Sequence, residues 1–265
     1  MENANLTVVI PVYNQPGLLE YTLWQLQHQD IINPKVIVVD DSSDLLQAEE
    51  QKVVSQIYNA TYIYEPCYPK RMRKHSCIIR GLGEVKTEFV GTFDVHGYYD
   101  KDYLYKCYSV LSKYKNVVVT HHWYWLKENI IQFLLGNKTI RHLDGSIHVD
   151  GCDCIDWKYF CRYDDIRPTE WGTYADGNFF LRTNIAKLCH DPAIYGYANS
   201  SSDVAMSAIY YGQSNVVLGD VHGYHISHYK QNYSFYTENE NIRGYVENKY
   251  KIWGPLPKDN GLVLA

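Results

Sequence analysis

A chain of 265 residues with 46% hydrophobic and 21% charged side chains has an ordinary globular composition, which excludes a disordered or fibrous protein. Its formal net charge of −5 supplies no electrostatic footprint for nucleic acid. No stretch approaches the roughly 20 apolar residues of a membrane span. The opening MENANLTVVIPVYN lacks the basic segment and long apolar run of a secretory leader, so the expectation is a soluble, cytoplasmic protein. Tyrosine is abundant at 26 residues, a side chain that offers sugars and nucleotides an apolar ring with a polar tip. Seven cysteines are an odd number without a disulfide framework, and the C-x-C spacing of Cys152 and Cys154, with Cys161 nearby, is not the usual zinc pattern.

In chain order, LTVVIPV is a short β-branched run, and a YNQPG turn leads to LLEYTLWQLQHQ, with apolar residues at helical spacing. KVIVVDDSS predicts a second buried strand ending in Asp40 and Asp41. DLLQAEEQKVVSQIY predicts a helix whose apolar stripe is Leu45, Leu46, Val53, Val54 and Ile57. TYIYE is a short strand, and RKHSCIIRGLGEVK is helical as far as its glycines. EFVGTF is another strand, DKDYLYKCYSVLSKY a helix beginning near Asp100 or Asp102, and NVVVTHHW a further strand. Beyond residue 124 the pattern loosens into the strand-like KTIRHL and SIHVD and a Trp- and Asp-rich loop. Then DGNFFLRTNIAKL reads as strand and helix with Thr183 as N-cap, SSSDVAMSAIYYG as a helix closed by Gly212, and NVVLGDVHGYHISHY as a strand. Continuous apolar strands alternating with amphipathic helices predict an α/β fold with a mostly parallel sheet covered on both faces, and ligands then bind beyond the carboxyl ends of the strands.

Those ends carry Asn14, Asp40, Asp41, Asp94 and His96. Asp94 and His96 are two apart, so on an extended segment they point the same way and can reach one object such as a metal ion. The alternative is a polar strand exit.

Together these pieces resemble a glycosyltransferase of family 2, with the GT-A fold: a Rossmann-like three-layer arrangement around a mostly parallel sheet. TVVIPVYNQPGLLEYTLWQLQHQ resembles the family's first strand, turn and helix, and KVIVVDDSS its second strand. FDVHGYYDKDYL stands where the family has a metal-binding Asp-x-Asp, GNFFLRTNIAKL is similar to the acceptor-side segment, and SSSDVAMSAIYYG resembles the helix with the catalytic base. The expected organisation is a single domain over 1–265. Residues 1–123 form the nucleotide-sugar half, 124–230 the acceptor half and 231–265 a tail wrapping the surface.

The resemblance implies a metal-dependent, inverting transfer from a UDP-sugar to a carbohydrate or other hydroxyl acceptor. It implies Asp203 as base, Asp40 reading the nucleotide base with Asp41 nearer the ribose or metal, and Pro11, Tyr13 and Asn14 in the first loop. Arg73, from the basic run YPKRMRKHS, is taken as the contact to the donor diphosphate. Asp94 with His96 and His228 would hold Mn²⁺ or Mg²⁺, which neutralises charge on the diphosphate; His222 and His225 compete with His228. Imidazole among the ligands tips preference toward Mn²⁺. Trp171 and Asp176 are the acceptor candidates. The sequence departs from the family in Asp94-Val95-His96, where Asp-x-Asp is usual, and in Ser202, where glutamate often precedes the base. Those departures leave two alternatives open, a GT-A scaffold that binds without turnover and a retaining transferase.

Overall fold

The computed structural model describes residues 2–66, 73–126, 141–143, 146–148, 152–153, 166–168, 178–194, 200–226, 245, 248–249, 251–252 and 262–265. The first half of the chain builds a parallel sheet. β1 (Glu2–Val12) lies between β2 (Ile32–Asp40) and β4 (Phe89–Thr92), and β2 continues to β3 (Thr61–Tyr64). The later strands extend that sheet. β11 (Phe180–Arg182) runs antiparallel to β4 and bridges to β6 (Val117–Leu126), which pairs in parallel with β12 (Ser214–Ile226). β5 (Gly97–Tyr99) and β10 (Ile166–Pro168) pair with β12, and β9 (Cys152–Asp153) with β6. β7 (Arg141–Leu143) and β8 (Ser146–His148) form a separate hairpin.

The central strands are apolar without alternation because both faces are covered. Leu6, Val8, Ile10 and Val12 of β1 face one core, together with α1 (Pro16–Gln27) and α4 (Tyr103–Lys113). Val9 faces the other, with α3 (Lys74–Glu84), α5 (Thr183–Cys189) and α6 (Ser200–Tyr210). Val38 against Ile37 and Val39, and Val117 and Val119 against Val118, divide in the same way. Each such side chain contributes about 1.5–3 kcal/mol by leaving water. The result is the three-layer α/β arrangement that the resemblance implies. Among the described residues no helix is long and apolar enough to cross a membrane.

Three local expectations change. α2 (Leu45–Ile57) buries Gln51 and Ser55, and of the expected stripe Val54 packs against the core while Leu45, Leu46, Val53 and Ile57 are exposed. Its inward polar face serves the loop at the end of β2. α3 runs through its glycines because Gly81 lies against the sheet, where a Cβ would collide with Val9 Cγ1. Thr183 is the first helical residue of α5, with Arg182 in the cap position. Gly212, at φ 74°, ends α6 in the left-handed conformation that glycine adopts without strain.

Candidate active site

The carboxyl ends of β1, β2 and β4 and the first turn of α3 share one edge of the sheet. The loop after β1 is anchored to the loop after β2. Asn14, at φ 50°, donates its backbone N–H to Ser43 Oγ at 2.8 Å, and its amide exchanges hydrogen bonds with Asp44 at 3.0 and 2.8 Å. Pro11 is buried in β1, opposite Val39, and Tyr13 is half-buried at the head of the loop.

Asp40 is completely buried. Its carboxylate accepts from the Ser43 backbone N–H at 2.8 Å, from Gln51 Nε2 at 2.6 Å and from the Tyr62 hydroxyl at 2.5 Å. In this conformation three donors and no solvent access make Asp40 a brace for the loop, an arrangement that weighs against its expected role in reading the base. Burial, followed by the hydrogen bond to Asp40, pushes the Tyr62 phenol far above its ordinary range, so it remains a donor. Gln51 completes the brace, donating also to Ser43 Oγ and accepting from the Gln15 backbone N–H. This is why α2 presents its polar face inward.

Asp41 carries the neighbouring carboxylate. Arg73 binds it through its backbone N–H at 2.6 Å, through Nε at 3.1 Å and through Nη2 at 3.0 Å, and also donates to the Glu65 carbonyl. Burial raises the Asp41 carboxyl above its usual range, against the pull of Arg73. Arg73 is thus drawn to the end of β2.

At the end of β4, the Lys74 ammonium lies 2.6 Å from Asp94 Oδ2, and both side chains are 9% exposed. His96 places Nδ1 3.7 Å from Asp94 Oδ1, with Nε2 2.9 Å from Gln15 Oε1. The pair therefore converges as the two-residue spacing suggests. Beneath it, the Asp94 backbone N–H donates to Asn178 Oδ1, and Asn178 Nδ2 donates to the Tyr99 hydroxyl, which in turn donates to the Asp94 carbonyl. Tyr103 and His121 join at 2.7 Å in the same buried layer. β12 registers His225 against Gly97, which brings its backbone beside His96. His228, Trp171 and Asp176 lie outside the described residues.

As a metal site, the arrangement fits in part. A gap of 3.7 Å between Asp94 Oδ1 and His96 Nδ1 suits one edge of an ion's coordination shell. The other carboxylate oxygen is engaged by lysine, and among the described residues no three His, Cys, Asp or Glu side chains converge on an ion.

Asp203, at the start of α6, is fully buried and bound by Lys249 at 2.9 and 3.2 Å. Lys249 also bonds Asp191 at 3.0 Å, which accepts from the Tyr245 hydroxyl. Burial opposes the charge on Lys249, but Asp203 and Asp191 prevail and raise its pKa. In this conformation Asp203 is sealed from any acceptor. His75, the second residue of α3, stacks on His190 with ring centroids 5.0 Å apart.

Reading the sequence missed Gln15, Gln51, Asn178, Lys249 and the role of Lys74. The basic run containing Lys74 was visible; the division of Arg73, Lys74 and His75 among three separate partners was not.

Residues 7–184 match the family described as Glycosyl transferase family 2. Among solved structures, TarS 1–349 from S. aureus in complex with UDP-GlcNAc is similar at a TM-score of 0.63 and 16% identity, covering 92% of this chain and 66% of that one. The mannosyltransferase PcManGT from Pyrobaculum calidifontis, in complex with GDP-Man and Mn²⁺, gives 0.62 and 14%, covering 97% and 67%. GalNAc-T7 with UDP, GalNAc and Mn²⁺ gives 0.61 and 10%, covering 94% and 49%. The chain spans 36% of a longer S. aureus TarS structure. At these identities the likeness is one of fold. No curated protein matches the chain.

Proposed function

Since this chain belongs to glycosyl transferase family 2, we propose that it transfers a sugar from a UDP-sugar to a hydroxyl acceptor on a glycan or related molecule. One observation carries the reading. The ends of β1, β2 and β4 gather Tyr13 and Asn14, the Asp41–Arg73 pair and the Asp94–His96 pair on the sheet edge where α/β folds bind nucleotides. Tyr13 offers a ring to the base, and Asp41, steered by Arg73, stands on the ribose side.

In the reaction, the acceptor oxygen attacks the anomeric carbon, the bond to the donor's β-phosphate oxygen breaks, and UDP leaves with the electron pair. The acceptor proton passes to a carboxylate. A divalent ion, when bound, would be held by Asp94 Oδ1 and His96 Nδ1 and would act as a Lewis acid toward the diphosphate. Gln15 steadies His96 for that purpose, and Asn178 fixes the backbone on which Asp94 stands. For the base the reading keeps Asp203, on a condition that the geometry imposes: Lys249 must first move off it. A single displacement inverts the anomeric configuration.

The test is calorimetric titration of UDP and GDP, followed by a UDP-sugar panel with analysis of the product's anomeric configuration. UDP is expected to bind, and Asp94→Ala is expected to abolish transfer while the fold is retained. Failure of both nucleotides to bind, with and without Mn²⁺, overturns the reading. The sealing of Asp203 favours a second reading, a scaffold that binds without turnover. UDP binding with no transfer across the panel would select it.

A further inference from the structure

We infer that Lys74 is a resident cation of the donor site, binding the diphosphate itself, so that affinity for a nucleoside diphosphate persists when divalent ions are removed. The inference rests on the donor reading above and adds a residue to it.

Lys74 opens α3 and is almost entirely buried. That is an unfavourable place for an ammonium on two counts. The first turn of a helix already carries positive partial charge, and burial penalises an ion without a partner. Asp94 answers both, at 2.6 Å through Oδ2. Its other oxygen faces His96 Nδ1 at 3.7 Å, so the ammonium and the imidazole lie on opposite oxygens of one carboxylate. Arg73, one residue earlier, is turned away to Asp41 and Glu65. Of these two consecutive cations, Lys74 is the one delivered to the end of β4.

The charge balance supports the same conclusion. The chain has Asp94-Val95-His96 at this strand end, one carboxylate and one imidazole. Among the described residues, the Lys74 ammonium and the Asp94 carboxylate offset each other before any ligand arrives. A divalent ion entering beside them gains from a single carboxylate already shared, and meets a fixed positive charge close by. A diphosphate entering the same place meets the Lys74 ammonium at the opening of α3, which favours an anion. A lysine ammonium is a point charge with three donors, so it can hold a carboxylate and a phosphate oxygen together.

A purely structural lysine, tying α3 to β4, predicts something different, and the two are separable by ligand charge. UDP and uridine are titrated calorimetrically into wild type, Lys74→Met and Lys74→Arg, in EDTA and in Mn²⁺, with thermal melting to confirm folding. Wild type is expected to bind UDP in EDTA. Lys74→Met is expected to weaken UDP about tenfold or more while leaving uridine within about twofold, and Lys74→Arg to recover part of the loss. Wild-type binding of UDP only with Mn²⁺ overturns the inference and leaves the donor reading standing; this arm needs no variant to fold. Equal losses for UDP and uridine in folded Lys74→Met overturn it in favour of a structural role. No nucleotide binding under any condition removes the donor reading and this inference with it.

Discussion

The Asp40 carboxylate takes a backbone N–H, an amide and a phenol from three parts of the chain, and no water reaches it. A buried donor that loses its acceptor costs about 1–3 kcal/mol. Asp40→Ala is therefore expected to lower unfolding free energy in urea by roughly 3 kcal/mol or more. Gln51→Leu, although more hydrophobic and on an α-helix, is expected to cost about 2 kcal/mol or more, because it strips Asp40, Ser43 and the Gln15 backbone at once. Leu46→Gln, on the exposed side of the same helix, is expected to stay within about 0.5 kcal/mol. Unchanged stability of Asp40→Ala, with UDP affinity lost, would return Asp40 to the base-reading role that its sequence position suggests.

The helices meet through groups whose protonation they control. His75 of α3 stacks on His190, which follows α5, and Asp191 and Lys249 lie beside the pair. Burial pushes the His190 imidazole down to about 4, and burial with the neighbouring His190 holds His75 well below its ordinary value. Both are neutral in the folded protein. Below the ordinary histidine pKa of about 6.5 the unfolded chain takes up protons that the folded chain refuses. Stability is then complete above that pH and falls as pH drops toward the folded values, by about 1.4 kcal/mol per pH unit for each histidine. Chemical denaturation at pH 8, 6.5, 5.5 and 4.5 should show this loss, and His190→Gln should reduce its slope; an identical slope would rule out His190 as a source. The same scale shows what periodicity can convey. β1, β2 and β6 were legible because both faces are buried, leaving continuous β-branched runs. The stripe on α2 was equally regular and misled at every position but Val54. Periodicity reports that a face is apolar, not which face the neighbours need, and Gln51 and Ser55 are required inside by a loop that no local window contains. Gly81 reads as a helix breaker until Val9 is known to lie against it.

Across the whole molecule, the residues that meet at the candidate site are far apart in sequence. Asp94 reaches Asn178 across 84 positions, and Asp203 reaches Lys249 across 46. Strand ends rich in Asp and Asn could be read as a site because the sheet topology collects them. The tail could not, since nothing near residue 249 announces a partner. Lys249 fastens the C-terminal segment to both ends of the connection between α5 and α6 through Asp191 and Asp203. Farther along, Ala265 donates to the Lys113 carbonyl and Val263 to Asn116. Removing the ammonium takes the charged partner away from a fully buried Asp203, so Lys249→Met is expected to cost about 3–5 kcal/mol. Asp203→Asn leaves Lys249 with Asp191 and is expected to cost less, and the double variant less than the two singles combined. Turnover then separates anchor from base. If the clasp opens to free the base, Asp203→Asn loses roughly 100-fold or more in kcat with UDP affinity unchanged. Lys249→Met, assayed below its lowered melting point, retains transfer. Equal transfer rates in wild type and Asp203→Asn would make Asp203 an anchor for the tail and nothing more, and the base would have to be sought elsewhere in the chain.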